Sequence, residues 1–123
     1  MSVQVKRVER GWAGHFICGH DCRFRRNTML VKGRLRIIVS TVGNMVSPSA
    51  KKAGTIGHER YYETMVFYAR RDAPYWEIDV EREIQFKSEW AIAVCEKGTD
   101  LKADAMHEKV VAEIAKQMRR GNL

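Results

Sequence analysis

The 123-residue sequence contains no long apolar run, only two prolines and only three cysteines. Its longest apolar stretch, Trp90–Cys95, is far shorter than the roughly 18 residues that a membrane-spanning helix needs. No apolar segment at the N-terminus resembles a signal peptide, so we expect a cytoplasmic protein without a membrane partner. Three thiols also exclude a complete disulfide framework, because one of them would stay unpaired.

The composition is that of a folded chain, with 45% hydrophobic and 30% charged residues. Its length predicts a single domain over residues 1–123. Twenty-two Lys and Arg against fifteen Asp and Glu give a net charge of +7. This excess favours a polyanionic partner such as nucleic acid, a nucleotide or an acidic protein surface.

Four segments in the middle of the chain have the patterns of β-strands. Phe24–Val31 and Leu35–Val42 are rich in β-branched residues and flank Gly33, which predicts a hairpin. Tyr61–Tyr68 and Tyr75–Val80 alternate in polarity and predict two further strands. In the last of these strands, three apolar residues are expected to face inward: Trp76, Ile78 and Val80.

The C-terminal segment changes to helical periodicity. From Asp100 to Arg120, apolar residues recur about every four positions, and Gly121 suits a helix C-cap. The apolar stripe consists of Met106, Val110, Val111, Ile114 and Met118. We therefore predict an α+β fold, in which this helix packs on one face of an antiparallel sheet of about four to six strands.

A segment rich in Gly, Ser, Pro and Lys, residues 43–57, separates the predicted hairpin from the later strands. It lacks sustained periodicity, and we interpret it as a mobile surface loop. Lys51 and Lys52 at its tip are either solvated or available to contact phosphate.

Four potential metal ligands fall within eight residues near the N-terminus: His15, Cys18, His20 and Cys22. Thiolate and imidazole are the ligands that zinc prefers. Structural zinc sites usually combine two short ligand pairs from separate elements, and here there is a single cluster. We therefore predict no metal and keep zinc as the alternative.

The next segment is a basic, hydrogen-bonding run that contains Arg23, Arg25, Arg26 and Asn27. Guanidinium groups suit phosphate and carboxylate alike. On a strand, Arg26 shares a face with Phe24, where it is either ion-paired or part of a binding site. Three carboxylates could pair with it: Glu59, Glu63 and Asp79.

A second polar group lies at the start of the third predicted strand, where His58, Arg60, Tyr62 and Thr64 share one face. A histidine near carboxylates could perform acid–base chemistry, but no nucleophile or phosphate loop accompanies it. The tyrosines are expected to line a groove or a sheet edge, where a homodimer could form.

Several motifs resemble a group of small uncharacterised proteins of bacteriophages and prophages. They are Gly11-Trp-Ala-Gly-His-Phe-Ile17, Cys22-Arg-Phe-Arg-Arg-Asn-Thr28, Val39-Ser-Thr-Val-Gly43, His58-Glu-Arg-Tyr-Tyr-Glu-Thr-Met-Val-Phe67 and Met106-His-Glu-Lys-Val-Val111. The resemblance implies a phage setting and no particular chemistry. Small phage accessory proteins often inhibit host machinery by stoichiometric binding.

We therefore expect a non-enzymatic phage-type protein that binds a host protein complex, a nucleotide or a nucleic acid, as an anti-CRISPR-like inhibitor or a signalling-nucleotide sequestering protein does. The expected binding residues are His15, Arg23, Arg25, Arg26, Asn27, His58, Arg60, Tyr62 and Thr64. One alternative is a small metal-dependent or acid–base enzyme that uses the His/Cys cluster and His58. Another is a nucleic-acid-binding protein that acts through charge alone.

Overall fold

The computed structural model describes residues 4–10, 22–45, 62–87 and 100–123. These residues form one antiparallel sheet, whose five strands lie in the order of the chain, and one helix packed against it. The predicted α+β fold is confirmed. The elements are β1 (Lys6–Glu9), β2 (Cys22–Lys32), β3 (Leu35–Met45), β4 (Tyr62–Asp72), β5 (Tyr75–Ile84) and α1 (Asp100–Arg119).

The hairpin of β2 and β3 forms the middle of the sheet, as its sequence predicts. Lys32 pairs with Leu35, so that a two-residue turn joins the strands. Gly33 in this turn has a φ of 59°, a left-handed conformation that costs glycine little and that tight hairpin turns require. β3 pairs with β2 on one side and with β4 on the other.

The strand β5 is longer and less regular than its sequence predicts. Ile78 pairs with Ala69 and Glu83 pairs with Phe67, so residues 79–82 oppose a single residue of β4. Simple alternation cannot continue across this register shift. The expectation that Val80 faces inward is therefore wrong, since its side chain is 57% exposed.

The strand β3 extends to Met45, which places the first three residues of the predicted loop 43–57 inside the sheet. Gly43 pairs with Tyr62 of β4, and a Cβ atom at this position would overlap the Tyr62 ring. This glycine therefore allows a close approach of the ring. The rest of the predicted loop, with Lys51 and Lys52, lies outside the described residues.

The helix α1 buries the predicted apolar stripe. Every residue of that stripe is at most 3% exposed. The helix ends in a hydrogen-bonded C-cap, in which the amide of Gly121 donates to Met118 O and that of Asn122 donates to Gln117 O. Gly121 has a φ of 76°, which confirms its predicted role. Among the described residues, no helix has the length and apolar character needed to cross a membrane.

The sheet is buried on both faces. On the face that contacts α1, called the helix face, Leu30, Ile37 and Val66 pack against the helix. On the opposite side, called the far face, Ile38, Val42 and Phe67 are also fully buried. Hydrophobic burial on the helix face fixes α1 across the middle strands and brings its polar residues against β1 and β2.

Candidate functional site

A cluster of five charged side chains joins β1, β2 and α1 at the helix face. Arg26 is its centre, with Nη2 2.8 Å from Glu9 Oε2 and Nη1 2.8 Å from Asp104 Oδ1. The same Nη1 atom lies 2.9 Å from Glu108 Oε2. Arg7 donates from Nη1 to Glu108 Oε1 at 2.9 Å. Three carboxylates thus surround two guanidinium groups, which fixes the charged part of α1 against the sheet.

The hydrogen bonds of this cluster shift its pKa values toward the charged forms. Burial disfavours the charge on Arg26, but its hydrogen bonds to Glu9 and Asp104 outweigh burial and raise its pKa. The hydrogen bond from Arg7 is the main cause that lowers the pKa of Glu108 to about 2. Burial opposes the charge on Glu9, yet hydrogen bonds from Arg26 and Thr28 hold its pKa below the usual value. Arg26, Glu108 and Glu9 are therefore charged at neutral pH.

Beside the charged cluster, a hydroxyl–imidazole chain crosses the interface between sheet and helix. Thr28 Oγ1 lies 2.9 Å from Glu9 Oε2 and 2.7 Å from His107 Nε2. His107 Nδ1 lies 2.8 Å from Thr41 Oγ1, which in turn lies 2.7 Å from Thr64 Oγ1. His107, Thr28 and Thr41 are 0% exposed.

The charge on Glu9 orders the protons along this chain. An ionised carboxylate only accepts, so the Thr28 hydroxyl donates to Glu9 and its oxygen accepts from His107 Nε2–H. A neutral imidazole carries one N–H, so Nδ1 accepts from Thr41. Thr41 then accepts from Thr64. Each member of the hydroxyl–imidazole chain has a hydrogen-bond partner, so the chain is a stable polar contact inside the core.

Burial is the main cause that lowers the pKa of His107 to about 4, and the nearby charge of Arg26 acts in the same direction. The imidazole is therefore neutral at physiological pH. Because it is fully buried, His107 holds α1 in place on the sheet and does not face a substrate.

The residues that the sequence analysis proposed for binding separate onto the two faces. Arg26, Tyr62 and Thr64 lie on the helix face, and Arg25 and Asn27 lie on the far face. The structure therefore does not bring these five side chains into one patch. Arg23 lies in β2, but its side chain is outside the described part of the structure. Three further candidates lie outside the described residues: His15, His58 and Arg60.

On the helix face, the predicted site residues make structural contacts. Arg26 is ion-paired, which was one of its two predicted roles, but its partners are not the carboxylates that we expected. Tyr62 is 1% exposed, packs edge-on against Phe24 with ring centroids 5.7 Å apart, and donates its hydroxyl proton to Asp100. Thr64 ends the hydroxyl–imidazole chain.

On the far face, one polar side chain is fully buried without a hydrogen-bond partner among the described residues. Asn27 is 0% exposed, and among the described residues its Nδ2 and Oδ1 atoms have no hydrogen-bond partner. The adjacent Arg10, whose amide donates to Asn27 O, likewise has a buried, unpartnered Nη1 atom within this part of the chain. Buried amides are seldom left unpaired, because each such group costs about 1–3 kcal/mol.

Positive charge is concentrated at one end of the sheet. The β2–β3 turn, the β4–β5 turn and the C-terminal end of α1 lie at this end. Ile37 pairs with Tyr68 near the two turns, and Lys32 Nζ donates to Met118 O at 2.6 Å. Seven cationic residues form this basic end, with Lys32 and Arg70 on the helix face of the sheet and Arg36 and Arg71 on the far face. The full set is Lys32, Arg34, Arg36, Arg70, Arg71, Arg119 and Arg120. Two carboxylates, Asp72 and Glu77, lie among them, which leaves a local charge of +5.

Within the part of the chain that the structure describes, no ion pair involves an arginine of the basic end. The ion pairs given by the structure instead surround Arg26 and Arg7. Arg36 and Arg71 instead stack on Trp76, with their guanidinium carbons 4.3 and 5.5 Å from the ring centroid. Stacking uses the planar face of a guanidinium and leaves its N–H edges free to donate.

Comparison with protein-family models, curated proteins and solved structures yields no match. Within the parts of the chain that the structure describes, no group of three or more His, Cys, Asp or Glu side chains could hold a metal ion. Three of the four candidate zinc ligands lie outside those parts, and the side chain of Cys22 is likewise not described. The zinc site stays an untested alternative.

The sequence analysis did not identify His107 or the basic end. His107 is spaced like the apolar residues of α1, four positions after Ala103 and three before Val110, so helical spacing could have placed it inside. The basic end combines residues from two turns and a helix end. Only the register of the strands brings them together.

Proposed function

We propose that this protein acts by stoichiometric binding and that its partner is a nucleic acid, held at the basic end. The observation that supports this proposal is the group of seven cations without carboxylate partners in the described ranges. They come from β2, the β2–β3 turn, β3, β4 and the C-terminal end of α1. Six of the seven are arginines. The planar guanidinium group of an arginine can donate two parallel hydrogen bonds to the oxygens of one phosphate.

The charged cluster and the basic end have different roles in this proposal. Arg7 and Arg26 are bound to carboxylates and stabilise the fold. Arg34, Arg70 and Arg119 are exposed and have no comparable contact among the described residues. Phosphate contacts would neutralise them and release counterions, which is the main source of affinity for nucleic acid at low salt.

The phage setting implied by the resemblance is compatible with this proposal. A protein that occupies a host nucleic acid, or a host complex that contains one, needs no catalytic centre. Inhibition of a host defence system is thus the biological role that we propose for the binding. The zinc or acid–base alternative depends on His15, Cys18, His20, Cys22 and His58, whose side chains all lie outside the described part of the structure. The expected homodimer likewise stays a prediction.

The test is a pair of variants with equal charge. Arg34→Gln with Arg70→Gln removes two cations from the basic end and lowers the net charge from +7 to +5. Lys102→Gln with Lys109→Gln makes the same change on the exposed side of α1, in its N-terminal half. Binding is measured by fluorescence anisotropy with a labelled oligonucleotide of about 16 nucleotides, which is long enough for one small domain.

The wild type should bind with an affinity that falls steeply as salt rises from about 50 to about 200 mM. The Arg34/Arg70 variant should bind more weakly, and the slope of log K against log salt should fall by roughly 1.4, since each lost phosphate contact on a single strand removes about 0.7. The Lys102/Lys109 variant should retain nearly all of its affinity. Equal losses in the two variants, or no binding by the wild type at low salt, would contradict the proposal.

A further inference from the structure

We infer that the far face of the sheet holds a second binding site, in which Asn27 and Arg10 bind the base and the phosphate of a single adenine nucleotide. This site is separate from the basic end. Asn27 lies in the middle of β2, four residues before Val31, the partner of Arg36, and four residues span about 13 Å along a strand. The inference therefore goes beyond the proposed function and does not depend on it.

Asn27 and Arg10 lie side by side on the far face. At the end of β1, Glu9 pairs with Thr28 of β2. The amide of Arg10 donates to Asn27 O at 2.7 Å, which continues this register by one residue and places Arg10 opposite Asn27. Residues opposite each other in an antiparallel pair share a face, and their Cβ atoms lie about 4.5–5.5 Å apart. One ligand can therefore contact both side chains.

Both side chains contain buried polar atoms without a hydrogen bond. Asn27 is 0% exposed, and its Nδ2 and Oδ1 atoms have no partner within the described ranges. The Nη1 atom of Arg10 is also buried and lacks a partner there. Such groups destabilise a fold, and proteins keep destabilising groups where their function requires them. A ligand that completes these hydrogen bonds explains why the two groups lie next to each other.

The unpaired atoms define the chemistry of the ligand. Oδ1 of Asn27 needs a donor, and Nδ2 needs an acceptor. Adenine presents its N6 amino group beside the N7 acceptor, and an asparagine amide binds this pair with two hydrogen bonds. Guanine presents two acceptors on the same edge, so it leaves Oδ1 unpaired. Arg10 has only donors and a positive charge, which suits the phosphate of a nucleotide.

The surroundings of Asn27 favour a single nucleotide. Its partner on β3 is Ser40, which lies between Ile38 and Val42 on the far face, and all three are 0% exposed. Apolar neighbours strengthen the hydrogen bonds of a base that packs among them. Because Asn27 is fully enclosed, its ligand must be small enough to be enclosed with it. Arg10 is only half-buried and follows the edge strand β1, so the phosphate would lie near solvent.

The experiment is a calorimetric titration with adenosine monophosphate, guanosine monophosphate and adenosine. The wild type should bind adenosine monophosphate roughly 5- to 150-fold more tightly than guanosine monophosphate, which is the discrimination that one bidentate base contact provides. Asn27→Val should abolish this preference. Arg10→Gln should lower the affinity for adenosine monophosphate to that for adenosine, which has no phosphate. Thermal unfolding of each variant without ligand verifies that it is folded.

Arg34→Gln is the matched control, since it lowers the net charge from +7 to +6, as Arg10→Gln does, but at the basic end. It should bind adenosine monophosphate as the wild type does. Equal losses in the two variants would place the nucleotide at the basic end and overturn the inference. Wild-type affinity in Asn27→Val, or no detectable binding of adenosine monophosphate by the wild type, would overturn it as well.

An oligoadenylate of about 16 nucleotides distinguishes a free nucleotide from an adenine within a strand. Asn27→Val should leave oligoadenylate binding unchanged, because a strand is too large to be enclosed beside Asn27. An equal loss for the oligoadenylate and for adenosine monophosphate would contradict a site for a single nucleotide. None of these outcomes decides the proposed function, which is tested by Arg34→Gln with Arg70→Gln.

Discussion

The buried imidazole of His107 makes folding stability depend on pH in a defined window. In the folded protein the pKa of His107 is lowered to about 4, chiefly by burial, whereas the ordinary value is 6.5. Above pH 6.5 the imidazole is neutral in both states and has no effect on pH dependence. As the pH falls from 6.5 toward 4, only the unfolded state takes up the proton, so stability is lost over that range.

The size of this loss follows from the two pKa values. Between pH 7 and pH 5, proton uptake by the unfolded state at His107 lowers the free energy of unfolding by about 2 kcal/mol, and the full loss below pH 4 is about 3 kcal/mol. The lowered pKa values of Glu9 and Glu108 stabilise the folded state, and this stabilisation is lost only as the pH falls below their ordinary value of 4.5. The interval from pH 6.5 to 5 therefore reports mainly on histidine.

The perturbation is His107→Asn, whose carbonyl can accept from Thr41 in place of Nδ1 and which does not titrate. Urea unfolding of the wild type and the variant is followed at pH 7 and at pH 5. The variant should be less stable at pH 7, since its shorter side chain leaves a gap, but it should lose about 2 kcal/mol less than the wild type between the two pH values. Equal losses in both proteins would refute the buried, neutral state of His107.

Two further substitutions test the polar contacts of β2. Arg26→Met should lower the free energy of unfolding by about 1–3 kcal/mol, because it leaves three neighbouring carboxylates without their shared cation. Urea unfolding at pH 7 measures this loss. Unchanged stability would refute the stabilising role of the cluster. Asn27→Val should raise the midpoint of thermal unfolding, by removing a buried amide that has no partner among the described residues. Asn27→Ala is the control without added volume, and a fall in both variants would mean that the amide is hydrogen-bonded.

The fold follows from sequence patterns wherever a local rule decides the structure. The β2–β3 hairpin depends on β-branched runs around Gly33, and α1 depends on an apolar stripe that ends at Gly121. These rules involve residues close together in the chain. The register shift in β5 has no such local signal, and the alternation that placed Val80 inside therefore led to a wrong expectation.

The candidate site was harder to predict, because its contacts join distant parts of the chain. An ion pair was one of the two roles predicted for Arg26. Its partners Glu9 and Glu108 lie 17 and 82 residues away in sequence, and only the packing of β1 and α1 brings them together. Alternation also showed that Arg25 and Arg26 face opposite sides, which is confirmed. A single binding patch that contains both of them is therefore not formed by β2 alone.

The net charge of +7 is distributed so that stability and the proposed binding depend on different residues. The cluster around Arg26 contains two guanidinium groups and three carboxylates, so its own charge is −1 and it adds nothing to the excess. The basic end has seven cations against two carboxylates, and its exposed arginines make no ion pair within the described ranges. Repulsion between the like charges of the basic end opposes folding slightly, so these cations do not stabilise the fold. Loss of Arg34 and Arg70 should therefore leave stability unchanged, whereas loss of Arg26 should lower it, although Arg26 and Arg34 belong to the same hairpin.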